Sequence, residues 1–422
     1  MDFDRTELPN GPRVISARVP GCRSMSAAVY VLAGSRLENR HQAGVAHFME
    51  HVTFKGTHAF PTTRAVSEAI EGYGGSSNAA TDRESTVYWA RVPMREAERA
   101  FKVLAELTVR PLLRSTDISR ERDIIVEEIR SYRDDPGQYV FNLFDRAFFG
   151  DTALGWEIAG DEDSVRGLTD DDIRTFWTRT YEPSNMVIAA AGDMDHVELV
   201  DRVRELFGTG EADVPDYSPA PNTPCERFVV EERELAQAHI CLGLPALERD
   251  HPDQWTLELL NTVLGEGSSS RLFQEVREEA GLAYDVHSFQ VDYADCGTLQ
   301  VYAGVDPDDL DQTLDAVLDE LRHIRDERVP TDELERARAY ASGRLELRLE
   351  ESRHLSAWLG IQEALHDRVL TLDEALTELN KVTPQDVQDL AQRLFRDDAL
   401  SLAVISTPGS TSGLDKALTL SK

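Results

Sequence analysis

Leu168-Thr169-Asp170-Asp171-Asp172-Ile173 and, 214 positions later, Val382-Thr383-Pro384-Gln385-Asp386-Val387 carry one pattern. In each, a Thr precedes an apolar-periodic run and an acid follows three residues later, the signature of a capped helix start. The same shift lays Met186-Val187-Ile188-Ala189-Ala190 on Leu400-Ser401-Leu402-Ala403-Val404 and Glu121-Arg122 on Glu335-Arg336. It also lays the strand-like residues 25–30 on 239–244. Self-similarity at so long a period predicts two duplicated domains, not a solenoid. Residues 211–225 are rich in Pro and polar side chains and read as an extended linker between 1–210 and 226–422. Strands and helices occur in groups without strict alternation. This predicts an α+β fold of two homologous domains, each a largely antiparallel sheet packed with helices. The tail from 409 onward, small and polar, is expected to fray.

Within the first half, His47-Phe48-Met49-Glu50-His51 puts two imidazoles and a carboxylate on one helical face, since residues three and four apart are neighbours there. The flanking Val45, Ala46, Phe48, Met49, Val52 and Phe54 are apolar, which predicts a buried helix. Three polar groups on such a helix need compensation, and a divalent metal with a water to activate supplies it. The repeat acts as an internal control. Positions 47, 50 and 51 fall on Asn261, Leu264 and Gly265, so the second half cannot bind a metal in this way.

Catalytic zinc usually takes three protein ligands and leaves one position open. The helical run 117–132 offers Glu121 and Glu128, seven residues apart and therefore on one face, and helical geometry alone leaves Glu127 open beside Glu128. Glu128 falls on Ser342 in the repeat.

The 422 residues, 41% apolar and 29% charged, suit a protein of two or more domains. No apolar run is long enough to span a membrane, and the first residues lack the basic and apolar regions of a secretory signal, so a cytoplasmic protein is expected. The net charge of −33 argues against nucleic acid. It suits either an acidic, solvating surface for high salt or a field that attracts cationic peptides. Cys22, Cys225, Cys241 and Cys296 lie far apart and read as ordinary buried thiols in a reducing compartment.

Residues 44–57, followed by Glu121 and Glu128, resemble the pitrilysin (inverzincin) family of zinc peptidases, and within it the branch of the mitochondrial processing peptidase and its bacterial homologues. Gly74-Gly75-Ser76-Ser77-Asn78-Ala79-Ala80-Thr81 is similar to that family's edge strand. Arg277 and Tyr284, seven apart, resemble its second-half active-site pair. The resemblance covers essentially the whole chain. It implies one Zn²⁺ per chain on His47, His51 and Glu128, with Glu121 orienting the site and Glu50 as general base for a zinc-activated water. It also implies that Asn78 and Ala79 hold the peptide as an added strand and that Tyr284 and Arg277 stabilise the oxyanion or the peptide backbone.

The activity implied is a metalloendopeptidase cutting short or unfolded peptides in a chamber of four such domains, reached by a homodimer. The alternatives are the catalytic subunit of a heterodimeric processing peptidase or a non-catalytic assembly subunit. Peptide is the expected partner, with neither nucleic acid nor membrane.

Overall fold

The computed structural model describes residues 2–221 and 223–421; Asn222 of the expected linker and the ends Met1 and Lys422 lie outside them. The strands are β1 (Asp4–Glu7), β2 (Arg13–Arg18), β3 (Ser24–Val31), β4 (Ser76–Thr81), β5 (Thr86–Pro93), β6 (Met186–Gly192), β7 (Phe228–Glu232), β8 (Ala238–Ala246), β9 (Ala283–Asp292), β10 (Gly297–Val305) and β11 (Ser401–Ser406). They form a six-stranded sheet in the order β1-β2-β6-β3-β5-β4 and a five-stranded sheet in the order β7-β11-β8-β10-β9. In each sheet one neighbouring pair is parallel, β2 with β6 and β7 with β11, and the rest are antiparallel. The α+β class with two helix-packed sheets expected from the sequence is the observed one.

The duplication is visible strand by strand, because β7-β11-β8-β10-β9 repeats β2-β6-β3-β5-β4. The two quoted helix starts are both capping boxes. Thr169 caps Asp170–Thr180 and Thr383 caps Pro384–Leu394, each Thr hydroxyl accepting from an Asp amide three residues on.

The chain forms two compact units: residues 1–130, 157–218 and 345–373 make one, and 131–156, 219–344 and 374–422 the other. The central strands explain why each unit needs a segment from elsewhere in the chain. β6 and β10 are buried at every position, so both sheet faces must be covered. On the first sheet, Ile15, Ala28, Tyr30 and Ala189 are covered by Leu355 and Leu359 of helix Ser352–Leu365. The fit is close, since a Cβ on Gly360 would lie 2.3 Å from Tyr30. On the second sheet, Cys241, Ala403 and Ile405 are covered by Val140, Leu143 and Phe144 of helix Pro136–Phe149. The opposite faces carry the two larger cores.

Two expectations are corrected. The tail does not fray: Leu414, Leu418 and Leu420 are buried in the second unit's core, so apolar residues interleaved with small ones dock this segment. Not every cysteine is buried. Cys241 and Cys296 are, Cys22 is half-buried and Cys225 is exposed. Among the described residues no helix is long and apolar enough to cross a membrane.

Candidate metal centre

Helix Val45–Thr53 buries Val45, Ala46, Phe48, Met49, Val52 and Thr53 and turns His47, Glu50 and His51 to its half-buried face. Its N-cap is Gly44 at φ +95°, where a Cβ would strike the Ala159 carbonyl at 2.5 Å. Glycine has no side chain to cap the helix. The buried Glu38 does so from outside, its carboxyl accepting from the Gly44 and Ala46 amides at 2.7 and 2.8 Å. Burial pushes the Glu38 carboxyl up to about 8, against the pull of those amides.

Helix Ser115–Asp134 brings Glu121 and Glu128 to the same place. Glu128 Oε2 lies 3.3 Å from His51 Nε2 and its Oε1 3.9 Å from His47 Nε2. One ligand atom from each of the three residues falls within 4.8 Å of the others, and no other such group occurs among the described residues. Bonds of about 2.1 Å at a tetrahedral zinc put neighbouring ligand atoms roughly 3.4 Å apart, so the trio needs little movement to close on one ion. Glu127, which helical geometry left open, is directed elsewhere and pairs with Arg130 at 2.7 Å.

The two histidines differ in protonation: His47 is ready to ligate, whereas His51 holds a proton that a bound ion would displace. Burial first, and His51 second, lower His47 to about 4, so it is neutral. Its Nδ1 is buried without a hydrogen-bond partner, an arrangement that disfavours a second ring proton. Burial also pulls on His51, but Glu121 and Glu128 outweigh it and hold the ring up at about 9. Glu121 Oε2 is 3.4 Å from His51 Nδ1, and its Oε1 takes Lys55 Nζ at 2.8 Å. This is the carboxylate–histidine arrangement that directs the other ring nitrogen at a metal. Glu121 and Glu128 are both held below the usual carboxylate range, Glu121 by His51 and Lys55 against its burial and Glu128 first by its bond to His51.

Glu50 lies between the two histidines in sequence, with its pKa raised, burial outweighing a hydrogen bond from Thr81. Thr81 Oγ1 donates to Glu50 Oε2 at 2.6 Å. Glu38, Lys55 and Thr81 escaped the sequence reading. For Thr81 a signal existed, since alternation along β4 puts it on the same face as Ala79.

The remaining expected residues fall as follows. β4 is an edge strand, with the Asn78 side chain exposed and Ala79 buried. Arg277 lies on a π-helical turn, Phe273–Glu279, with its guanidinium over the rings of Phe273 at 4.8 Å and Tyr284 at 5.2 Å. Arg277 and the exposed Tyr284 line an open cleft of about 420 Å³ with Gln237, Gly281 and Asp306. In the second unit the repeat of the metal helix is closed by packing. Asn261 accepts from the Ser288 hydroxyl at 2.7 Å, and a Cβ on Gly265 would meet the Ser288 amide at 2.4 Å.

Residues 13–162 match the family described as insulinase (peptidase family M16), and residues 167–340 match the peptidase M16 inactive domain. An uncharacterized zinc protease of Streptomyces coelicolor is 38% identical over 92% of this chain and 86% of its own length. This chain belongs to peptidase family M16. Another M16 relative, an uncharacterized zinc protease of Bacillus subtilis, is 35% identical over 96% of this chain and 98% of its own. A solved protease from Helicobacter pylori, 21% identical, has the same fold at a TM-score of 0.89, covering 96% of this chain and 99% of that one. The family expected from residues 44–57 is the one found. The metal trio lies in the first matched region, and Arg277 and Tyr284 lie in the region matching the family's inactive domain.

Proposed function

We propose that this M16 chain is a zinc metalloendopeptidase acting on short or unfolded peptides. The observation that carries the reading is the convergence of His47, His51 and Glu128 with Glu50 on the same helix. Two zinc-protease relatives at 35% identity or more support it. His47, His51 and Glu128 would hold one Zn²⁺ per chain. When bound, the metal would polarise the scissile carbonyl and make a water acidic near neutral pH. Glu50 takes a proton from that water and returns it to the leaving amine. Glu121 keeps His51 in the tautomer whose Nε2 is unprotonated. The free edge of β4 at Asn78 and Ala79 takes the peptide as an added strand, a mode that requires extended substrate and so excludes folded protein. Arg277 and Tyr284 serve the peptide backbone or its oxyanion. Two copies of the chain form the working unit.

Purified chain incubated with a mixed peptide library, with bound metal, oligomer mass and cut sites measured together, tests the reading. Cleavage should stop in o-phenanthroline and return with Zn²⁺. Glu50→Gln should keep its zinc while cleavage falls on the order of 10² to 10⁴-fold. Undiminished cleavage by Glu50→Gln would remove the proposed base.

A further inference from the structure

Thr81 ends the edge strand β4 and touches the centre of the metal helix. Along β4 the exposed Asn78 and Ala80 alternate with the buried Ala79, so Ala79 and Thr81 share the inward side. The Thr81 hydroxyl donates to Glu50 Oε2 at 2.6 Å, a short bond of the charge-assisted kind. The strand end is itself anchored. Thr81 pairs with Thr86 across the hairpin, and the Thr86 hydroxyl donates to the Ala33 carbonyl at 2.8 Å. The turn between them is fixed by the buried ion pair of Arg36 and Glu84. A Cβ on Gly34 would meet the Asp82 carbonyl at 2.2 Å, so the 34–36 segment lies directly against this turn.

We propose that Thr81 is a positioning residue: its hydroxyl commits Glu50 Oε2 and leaves proton transfer to Oε1. The proposal rests on the reading of Glu50 as the base. Oε1 then takes one proton from water as the water oxygen bonds the carbonyl carbon. The same proton passes from Oε1 to the amide nitrogen as the carbon–nitrogen bond breaks, leaving Glu50 as it began. One strand thereby performs two tasks, offering its edge to the peptide and setting the base that acts on it. A peptide that shifts β4 also shifts the base, which makes turnover sensitive to how a substrate seats on the strand.

Thr81→Val removes the donor while keeping the shape, and Thr81→Ser keeps the donor. For Thr81→Val, kcat should fall on the order of 10²-fold with KM within about twofold of wild type, because misplacing a reacting group by an ångström costs that much. Bound zinc per chain and melting temperature should be unchanged, and Thr81→Ser should recover kcat to within roughly threefold of wild type. In the Glu50→Gln background, Thr81→Val should cause no further loss of residual turnover. The proposal is overturned if Thr81→Val keeps wild-type kcat, if the loss lies in KM, or if zinc or melting temperature falls with activity. It is also overturned if Thr81→Ser is as impaired as Thr81→Val. Full activity in Glu50→Gln would instead remove the base reading on which the proposal stands, so the two failures are told apart.

Discussion

Glu121→Gln isolates the support given to His51. The Glu121 side chain is 3% exposed, with Oε1 on Lys55 and Oε2 on His51 Nδ1. Glutamine fills the same volume but has one acceptor and one donor. Its carbonyl goes to Lys55, the stronger donor, and its NH₂ then faces His51 Nδ1. That ring nitrogen must become an acceptor, so the proton moves to Nε2, the atom that would otherwise bind zinc. Loss of such a partner typically weakens metal affinity 10- to 100-fold, about 1.4 to 2.7 kcal/mol. The 3.4 Å separation at His51 is long for a hydrogen bond, which favours the lower end of that range. The assay is zinc affinity by competition with a chromogenic chelator, paired with peptide turnover at saturating zinc. Because the substitution is isosteric, the melting temperature of the metal-free protein should stay close to wild type. A zinc affinity within about twofold of wild type would refute the argument that Glu121 holds the ligating tautomer.

Three further outcomes follow from the same residues and surfaces. His51 keeps its proton up to about 9 in the metal-free site, whereas His47 loses its own at about 4. Zinc binding near pH 7.5 should therefore release the His51 proton, together with any from the bound water, and the His51 share should fade as pH rises through its value; heats that do not vary with buffer ionisation enthalpy would contradict this. The net charge of −33 should make the fold self-repelling at low salt. Melting temperature should rise from roughly 0.05 M to roughly 1 M KCl as screening shortens, and a flat or falling curve would count against it. Gly360→Ala would press a methyl onto Tyr30 at 2.3 Å and should cost about 1 to 3 kcal/mol in urea unfolding, whereas Gly343→Ala, with open space around it, should not destabilise.

The repeat at 214 positions was legible because capping boxes and strand patterns are local: Thr169 and Thr383 need only the residues three places on. The His47 and His51 pair was legible for the same reason, helical spacing being fixed by the backbone. Motif resemblance, more than local physics, pointed to Glu128, and the fold then separated it from Glu127, which turns to Arg130. Residues 136–149 and 352–365 are amphipathic in sequence, but nothing local says which sheet they cover. That was settled by strands buried on both faces, each needing a helix to close its second side. Glu38 and Lys55 were decided by tertiary structure alone, and for Thr81 strand alternation gave the side it faces while packing gave its partner Glu50. Sequence spacing thus determined the two histidines and the acid between them. Only the packing of β4 and helix Ser115–Asp134 against that helix decided which oxygens face which nitrogens, because such contacts depend on distances between segments that the chain order does not encode.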